Sequence, residues 1–218
     1  MNHKLYYAKE SDLAKIAKVH MKAFPHSFST KLGHAYCLKM LEWFITSNKS
    51  FLFFTEDENG LVDGFCGGIV SDGSLNTGSA TSMVQHSFNK AIFSLILRPW
   101  LLFHPEILEK NKFIIKNFKN KFFRKVDKGE KQKNMEKQAP SVGLVAIGVL
   151  PQVMGKGVST LLFSEFENKA ISLNVSEVYL TVKSDNERAI KAYLKRGWKK
   201  EALNGNSLKM YKKLSNGK

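Results

Sequence analysis

The stretch Val142-Gly143-Leu144-Val145-Ala146-Ile147-Gly148-Val149-Leu150-Pro151-Gln152-Val153-Met154-Gly155-Lys156-Gly157-Val158-Ser159 decides the fold. Residues 141–150 form a nearly continuous apolar run rich in β-branched side chains, the pattern of a strand covered on both faces. Pro151 to Met154 read as a turn. Beyond it Val158, Leu161, Leu162, Phe166 and Ala170 recur on one side of a helix predicted over 155–172. A strand that turns through glycines into a helix is suited to an anion. The first helical N–H groups have no internal partner, and the helix dipole adds positive potential there. Gly155 and Gly157 let a pyrophosphate approach the main chain, and Lys156 adds charge. A plain tight turn would use the same glycines, so the turn alone does not identify a ligand. The Walker spacing and the Gly-x-Gly-x-x-Gly dinucleotide fingerprint are both missing.

Downstream, 178–182 is a second buried strand, and Ser184-Asp185-Asn186 caps a helix that reaches Arg196 and ends at Gly197. Two further strands, 198–202 and 208–214, flank a turn at Asn204-Gly205-Asn206. Upstream, a short strand over 5–8 precedes a helix that Ser11-Asp12 caps, with Leu13, Ile16, Ala17 and His20 on its apolar side, ended at Phe24-Pro25. A second helix is predicted over 34–46. Strands over 50–55 and 62–70 form a hairpin around 56–60, with Gly64, Gly67 and Gly68 marking bulges or close packing. Residues 71–82 are small and polar, a loop.

The segment from 74 to 139 has a different texture. Residues 88–103 read as an apolar helix broken at Arg98-Pro99. Residues 107–126 alternate lysines with Phe and Ile as in a basic amphipathic helix, and 127–138 read as an exposed polar loop. The chain carries a formal charge of +15, and Gln85 to Gln138 hold thirteen Lys/Arg against five Asp/Glu. Such an excess points to anionic partners: nucleotides, phosphate groups, acidic glycans or a lipid surface. No nucleic-acid-binding motif accompanies it, so nucleic acid is not expected. Cys37 and Cys66 are the only cysteines and have no CxxC spacing, which argues against a disulfide scaffold or a zinc site. With neither an apolar leader nor a run long enough to span a bilayer, the expected place is the cytoplasm, with peripheral contact at the inner membrane face left open.

The order of elements, with Val149-Leu150-Pro151, Met154-Gly155-Lys156-Gly157-Val158-Ser159 and Asn186 through Tyr193 to Gly197-Trp198, resembles the GNAT superfamily of N-acetyltransferases. The motifs carry the resemblance from Pro140 to the C-terminus; residues 1–73 follow it by pattern. It implies a single domain over 1–218, in which 74–139 is a basic helical insertion. The fold class is α/β (α+β) in three layers: a mixed, mostly antiparallel twisted sheet of about six or seven strands flanked by helices. It also implies acetyl-CoA as co-substrate. The insertion, basic and able to wall a pocket, favours a small-molecule amine, such as an amino sugar or its nucleotide-linked form, as acceptor; a protein N-terminus or lysine is the alternative. Main-chain groups of Ile147, Gly148 and Val149 would bind the pantetheine arm as an added strand does, with the Val149 N–H as oxyanion donor. Amides of Met154, Gly155, Lys156, Gly157, Val158, Ser159 and Thr160 would hold the pyrophosphate. Asn186 would bond to the pantetheine, and Tyr193 would protonate the departing thiolate.

The sequence departs from the family at Met154, where Gln or Arg is usual, and at Ser159, where Gly or Ala is usual. The strand before the turn also lacks the carboxylate that many relatives use as a base. Glu56, Asp57, His86, His104 or a water chain are the remaining candidates. The rival readings are a non-catalytic acetyl-CoA-binding module and a membrane-surface tether. Whether the chain forms a homo-oligomer is left open.

Overall fold

The computed structural model describes residues 3–71, 80–105, 107 and 140–214. Among these residues seven strands form one sheet: β1 Lys4–Tyr7, β2 Ser50–Glu56, β3 Val62–Ser71, β4 Ser141–Val149, β5 Glu177–Lys183, β6 Lys199–Asn204 and β7 Ser207–Lys213. They lie in the order β1-β2-β3-β4-β5-β7-β6. Only β4 and β5 run parallel; every other neighbouring pair is antiparallel. The single parallel pair follows from the helical crossover between β4 and β5, since a hairpin cannot return a strand in the same direction.

Helices cover both faces. On one side lie α1 Leu13–Ala23, α2 Phe28–Leu32, α3 His34–Thr46 and α4 Ala80–Leu97. Leu13, Ile16, Leu41 and Phe44 bury there against Leu52, Phe54 and Phe65 of the sheet. On the other side lie α5 Val158–Ser172 and α6 Glu187–Leu194. Val158, Leu162, Phe166 and Ile190 bury there against Phe53, Cys66, Val142 and Leu180. The sheet therefore alternates between two apolar cores, as period-2 strands must when both faces are covered. Cys37 and Cys66 fall in opposite cores and are both free. Burial pushes the Cys37 thiol up to about 12 and that of Cys66 well above its ordinary value.

The glycines of β3 are explained by packing. A Cβ on Gly64 would sit 2.8 Å from Val158 Cγ1, and one on Gly67 would sit 2.7 Å from the Phe44 ring. One on Gly68 would overlap the ring of Phe51. The hairpin turn is held by Asp57, whose Oδ1 accepts from the N–H groups of Asn59 and Leu61 at 2.9 Å. Gly60 takes a positive φ there.

Four local expectations differ from the structure. Asp12 does not bond to α1 through its side chain; it closes a preceding 3-10 turn by accepting from the Lys9 N–H at 2.9 Å. Phe28–Leu32 is a helix where none was expected, nucleated by Ser27, whose hydroxyl accepts from the Thr30 N–H. The helix expected from residue 88 starts at Ala80, eight residues earlier, because α4 packs along α3 and buries Ser87. The last expected helix runs only to Leu194, and the chain turns from there to Gly197 at φ +81°. The break at Arg98-Pro99 is present, followed by a 3-10 turn over Pro99–Phe103. Apart from Ile107, the expected amphipathic helix over 107–126 and loop over 127–138 lie outside the described residues.

Candidate acyl-transfer site

The two parallel strands at the centre of the sheet separate. β4 pairs with β5 only through Val142↔Val178, Gly143↔Tyr179 and Leu144↔Leu180, although β4 continues to Val149 and β5 to Lys183. The cause is visible in the register. Gly68 faces Leu144 and Gly67 faces Ala146, so Val145 is an extra residue on β4, a β-bulge that bends the strand. The bulge also resets the alternation. Leu144 and Ile147, three apart, pack on the core under α5 and α6, while Val145 and Ala146 pack on the opposite one. Beyond the bulge β4 keeps β3 on one edge, out to Val149↔Gly64, and has no strand partner on the other among the described residues.

One hydrogen bond orients that edge. The Leu150 N–H donates to the Asp63 carbonyl of β3 at 2.8 Å. Successive residues of an extended strand point their N–H and C=O groups to opposite edges. The groups of Val149, and of Ile147 before it, are therefore directed into the gap between β4 and β5, and those of Gly148 toward β3. Gly148 needs its hydrogen, because a Cβ there would lie 2.6 Å from the Phe65 ring.

The strand then enters a 3-10 turn over Pro151–Val153 and reaches α5 through Gly155 at φ +81° and Gly157 at φ +90°. Neither glycine belongs to the helix, which begins at Val158; a right-handed helix does not admit positive φ. Nothing lies within 4 Å of a Cβ built on either, so the glycines are required by backbone conformation, and the space in front of them is open. Of the seven amides expected to hold a pyrophosphate, three are engaged within the turn. Met154 donates to Pro151 O at 3.3 Å, Lys156 to Val153 O at 3.2 Å and Thr160 to Gly157 O at 2.9 Å. Among the described residues the amides of Gly155, Gly157, Val158 and Ser159 have no such acceptor.

α6 faces this turn. Asn186 is its N-cap, with Oδ1 accepting from the Ala189 N–H at 3.2 Å, which leaves the side-chain NH2 as a donor. Tyr193 is its penultimate residue, packed edge-on to Phe163 and tilted against Trp198. Its ring shares an apolar floor with Ile147, Val149 and Val153. Burial, aided by Cys66, raises the Tyr193 phenol to about 12, so at neutral pH it carries its proton.

Two cations absent from the sequence expectations complete the turn. Arg188, in the first turn of α6, directs a guanidinium N–H at the Met154 sulfur. Arg196 donates to Ser159 Oγ at 3.2 Å and Thr160 Oγ1 at 2.8 Å, and lies over the Phe163 ring. Among the described residues no carboxylate pairs with Lys156, Arg188 or Arg196. The motif position that Met154 leaves without a polar side chain thus has a guanidinium beside it, contributed from 34 residues downstream.

The base candidates are dispersed. Asp57 is occupied by its hairpin turn, and Glu56 faces Lys15 at 3.8 Å. His86 Nε2 lies 3.7 Å from Glu42 between α3 and α4, and His104 packs against Phe28. A carboxylate that sequence reasoning passed over, Asp63, does stand beside the end of β4. Thr55 donates to its Oδ1 at 2.6 Å, His3 Nδ1 lies 2.7 Å from its Oδ2, and it is 2% exposed. It is sealed from solvent and is the extra residue of a bulge on β3, where Thr55 faces Gly64 and Glu56 faces Val62, so that it ties β2 and the residue before β1 to β3. Its signal was a lone Asp within an apolar, glycine-rich strand. No cluster of three or more His, Cys, Asp or Glu among the described residues could hold a metal. No described helix is long and apolar enough to cross a membrane.

Residues 126–198 match the profile of the acetyltransferase (GNAT) family. No curated protein matches the chain. Solved structures match its fold along nearly the whole length. The PaiA N-acetyltransferase of Thermoplasma acidophilum, in complex with coenzyme A, is 12% identical with a TM-score of 0.59, over 98% of this chain and 100% of that one. The aminoglycoside 6'-N-acetyltransferase AAC(6')-Ih of Acinetobacter baumannii is 12% identical with a TM-score of 0.55, over 93% and 95%. The ribosomal-protein-S18-alanine N-acetyltransferase of Escherichia coli is 12% identical with a TM-score of 0.55, over 100% and 97%. Residues 126–198 thus resemble the acetyltransferase (GNAT) family, whose co-substrate is acetyl-CoA, and the described chain around them shares the fold of these solved N-acetyltransferases.

Proposed function

We propose that the protein transfers the acetyl group of acetyl-CoA directly to the amine of a small-molecule acceptor, with an amino sugar as the favoured class. The observation that carries this reading is the gap-facing edge of β4: a polar main-chain edge beside an apolar floor, ending at a helix start whose amides are open. Ile147 and Val149 bind the pantetheine amides as a neighbouring strand would. Gly155, Gly157, Val158 and Ser159 bind the pyrophosphate through their N–H groups, with Arg188 and Lys156 adding charge. The Asn186 side-chain NH2 donates to the pantetheine.

In the transfer, the acceptor nitrogen attacks the thioester carbonyl carbon, and the Val149 N–H donates to the oxygen as it becomes negative. The C–S bond then breaks, and the thiolate takes the proton of the Tyr193 hydroxyl. The proton lost by the amine passes to water, since no exposed carboxylate or imidazole lines the end of β4 among the described residues. Tyr193 is recharged from solvent. The acceptor class follows from the basic insertion, which suits a walled pocket more than an open groove for a polypeptide. An aminoglycoside acetyltransferase among the structural neighbours agrees with it, and a ribosomal-protein acetyltransferase keeps a protein N-terminus as the second reading.

A thiol-release assay over a panel of amino sugars, polyamines and peptides tests this. An amino sugar should stimulate release, and Tyr193→Phe should lower kcat on the order of 100-fold, at the lower end of a general acid's contribution. Because only the protonated phenol serves, activity would be lost above its raised pKa of about 12 and should not fall between neutrality and pH values well below that. If coenzyme A binds but no amine stimulates release, and Tyr193→Phe behaves as wild type, the protein is a binding module.

A further inference from the structure

α4 and the turn after it are apolar on both sides. Met83, Ala91, Leu95 and Leu101 face the core beneath α3. Phe93, Ile96 and Leu97 face outward at helical spacing, and Trp100, Leu102 and Phe103 continue that surface across Pro99. Trp100 is 64% exposed and Phe103 77%. Six large apolar side chains left exposed between Phe93 and Phe103 of a folded domain mark an interaction site. Its charge is one-signed: no Asp or Glu occurs from Gly73 to Pro105, and the charged residues in that interval are Lys90 and Arg98. The sequence that follows, 106–126, adds seven Lys/Arg against Glu106 and Glu109.

We infer that this outer face of α4 and the Pro99–Phe103 turn docks on an anionic lipid bilayer, a surface the acetyl-transfer reading does not call for. Large aliphatic side chains with Trp and Phe, with exposed Lys90 one turn before Phe93 and no acid in the segment, match the interfacial zone, where apolar side chains enter the acyl boundary and cations meet phosphate headgroups. A protein partner would be expected to meet polar groups at the rim of the patch. Here Arg98, the one charged side chain among Phe93 to Phe103, donates to the Lys31 carbonyl at 2.9 Å and so lies back against α2.

The test uses the full chain with equimolar phosphatidylcholine–phosphatidylglycerol vesicles, and with pure phosphatidylcholine as control. The protein should sediment with the anionic vesicles and much less with the neutral ones. Acyl-chain bromines should quench Trp100 and spare Trp43 and Trp198, which are 5% and 1% exposed. Phe93→Ser with Ile96→Ser and Phe103→Ser should weaken vesicle binding by at least about tenfold, the loss expected for three apolar side chains, and leave coenzyme A affinity unchanged. Absence of sedimentation overturns the inference. So does unquenched Trp100, or vesicle binding by the triple variant equal to wild type. A wild-type dimer that the triple variant abolishes, with no vesicle binding, assigns the face to a second copy of the chain instead.

Discussion

The molecule contains two strand-to-helix junctions at its centre, β4 into α5 and β5 into α6, and they are built oppositely. The second is closed on itself: Asn186 caps α6 with its own side chain, as helix starts ordinarily are. The first has no side-chain cap. Gly157, at its N-cap, has φ +90°, and four consecutive or near-consecutive amides are left without main-chain acceptors among the described residues. An uncapped, partly exposed helix start is a cost in the free protein and an asset only if something negative binds there. The closed junction also reaches the open one, with Arg188 directed at Met154 and Tyr193 packed on Phe163 of α5.

Closing the open junction should have the largest effect. Gly157→Val puts a β-branched residue where φ is positive, which costs about 1–2 kcal/mol in backbone strain, and fills the space in front of the amides. Coenzyme A affinity measured by calorimetry should fall on the order of 10- to 100-fold. Gly155→Val should behave similarly. A Gly157→Val protein that keeps wild-type affinity would show that the phosphates are held elsewhere.

The contribution of the closed junction to the open one is measurable through Arg188. An exposed guanidinium hydrogen bond to phosphate is worth about 0.5–1.5 kcal/mol, so Arg188→Ala should weaken coenzyme A about 3- to 10-fold and flatten the salt dependence. Adding Met154→Arg to that variant should restore much of the loss, because the two positions place a cation at one spot. If the double variant is no better than Arg188→Ala, the proximity of Arg188 to Met154 is incidental.

The junctions also differ in how much of them the sequence discloses. The apolar run of β4, the Gly-Lys-Gly turn and the Asn-to-Tyr spacing are local patterns, each set by a neighbour a few residues away, and they were readable. Arg188 acting at Met154 was not, because only the fold brings residues 34 apart in sequence together. The bulge at Val145 was hidden as well, since an extra residue leaves an all-apolar run looking unchanged. On the other side of the sheet, the first turns of α4 carry Thr81, Ser82 and Ser87, weak helix formers, and gain their helicity by packing on α3. Phe28–Leu32 is too short for periodicity to show.

The smallest effect separates Asn186's two roles. Its Oδ1 is committed to the Ala189 N–H, so any contact with the pantetheine must come from its NH2. Asn186→Asp keeps an acceptor at the cap, in a position where the helix dipole favours negative charge, and removes the donor. Its melting temperature should stay within about a degree or two of wild type, an effect of about 0.5 kcal/mol or less, while acetyl-CoA affinity falls a few-fold. Asn186→Ala removes both functions, and losing the cap should cost about 1 kcal/mol, or about 2–4 °C for a chain of this size. Were the Asp variant as tight for acetyl-CoA as wild type, Asn186 would be a cap alone. The closed junction would then serve the open one only through Arg188 and Tyr193.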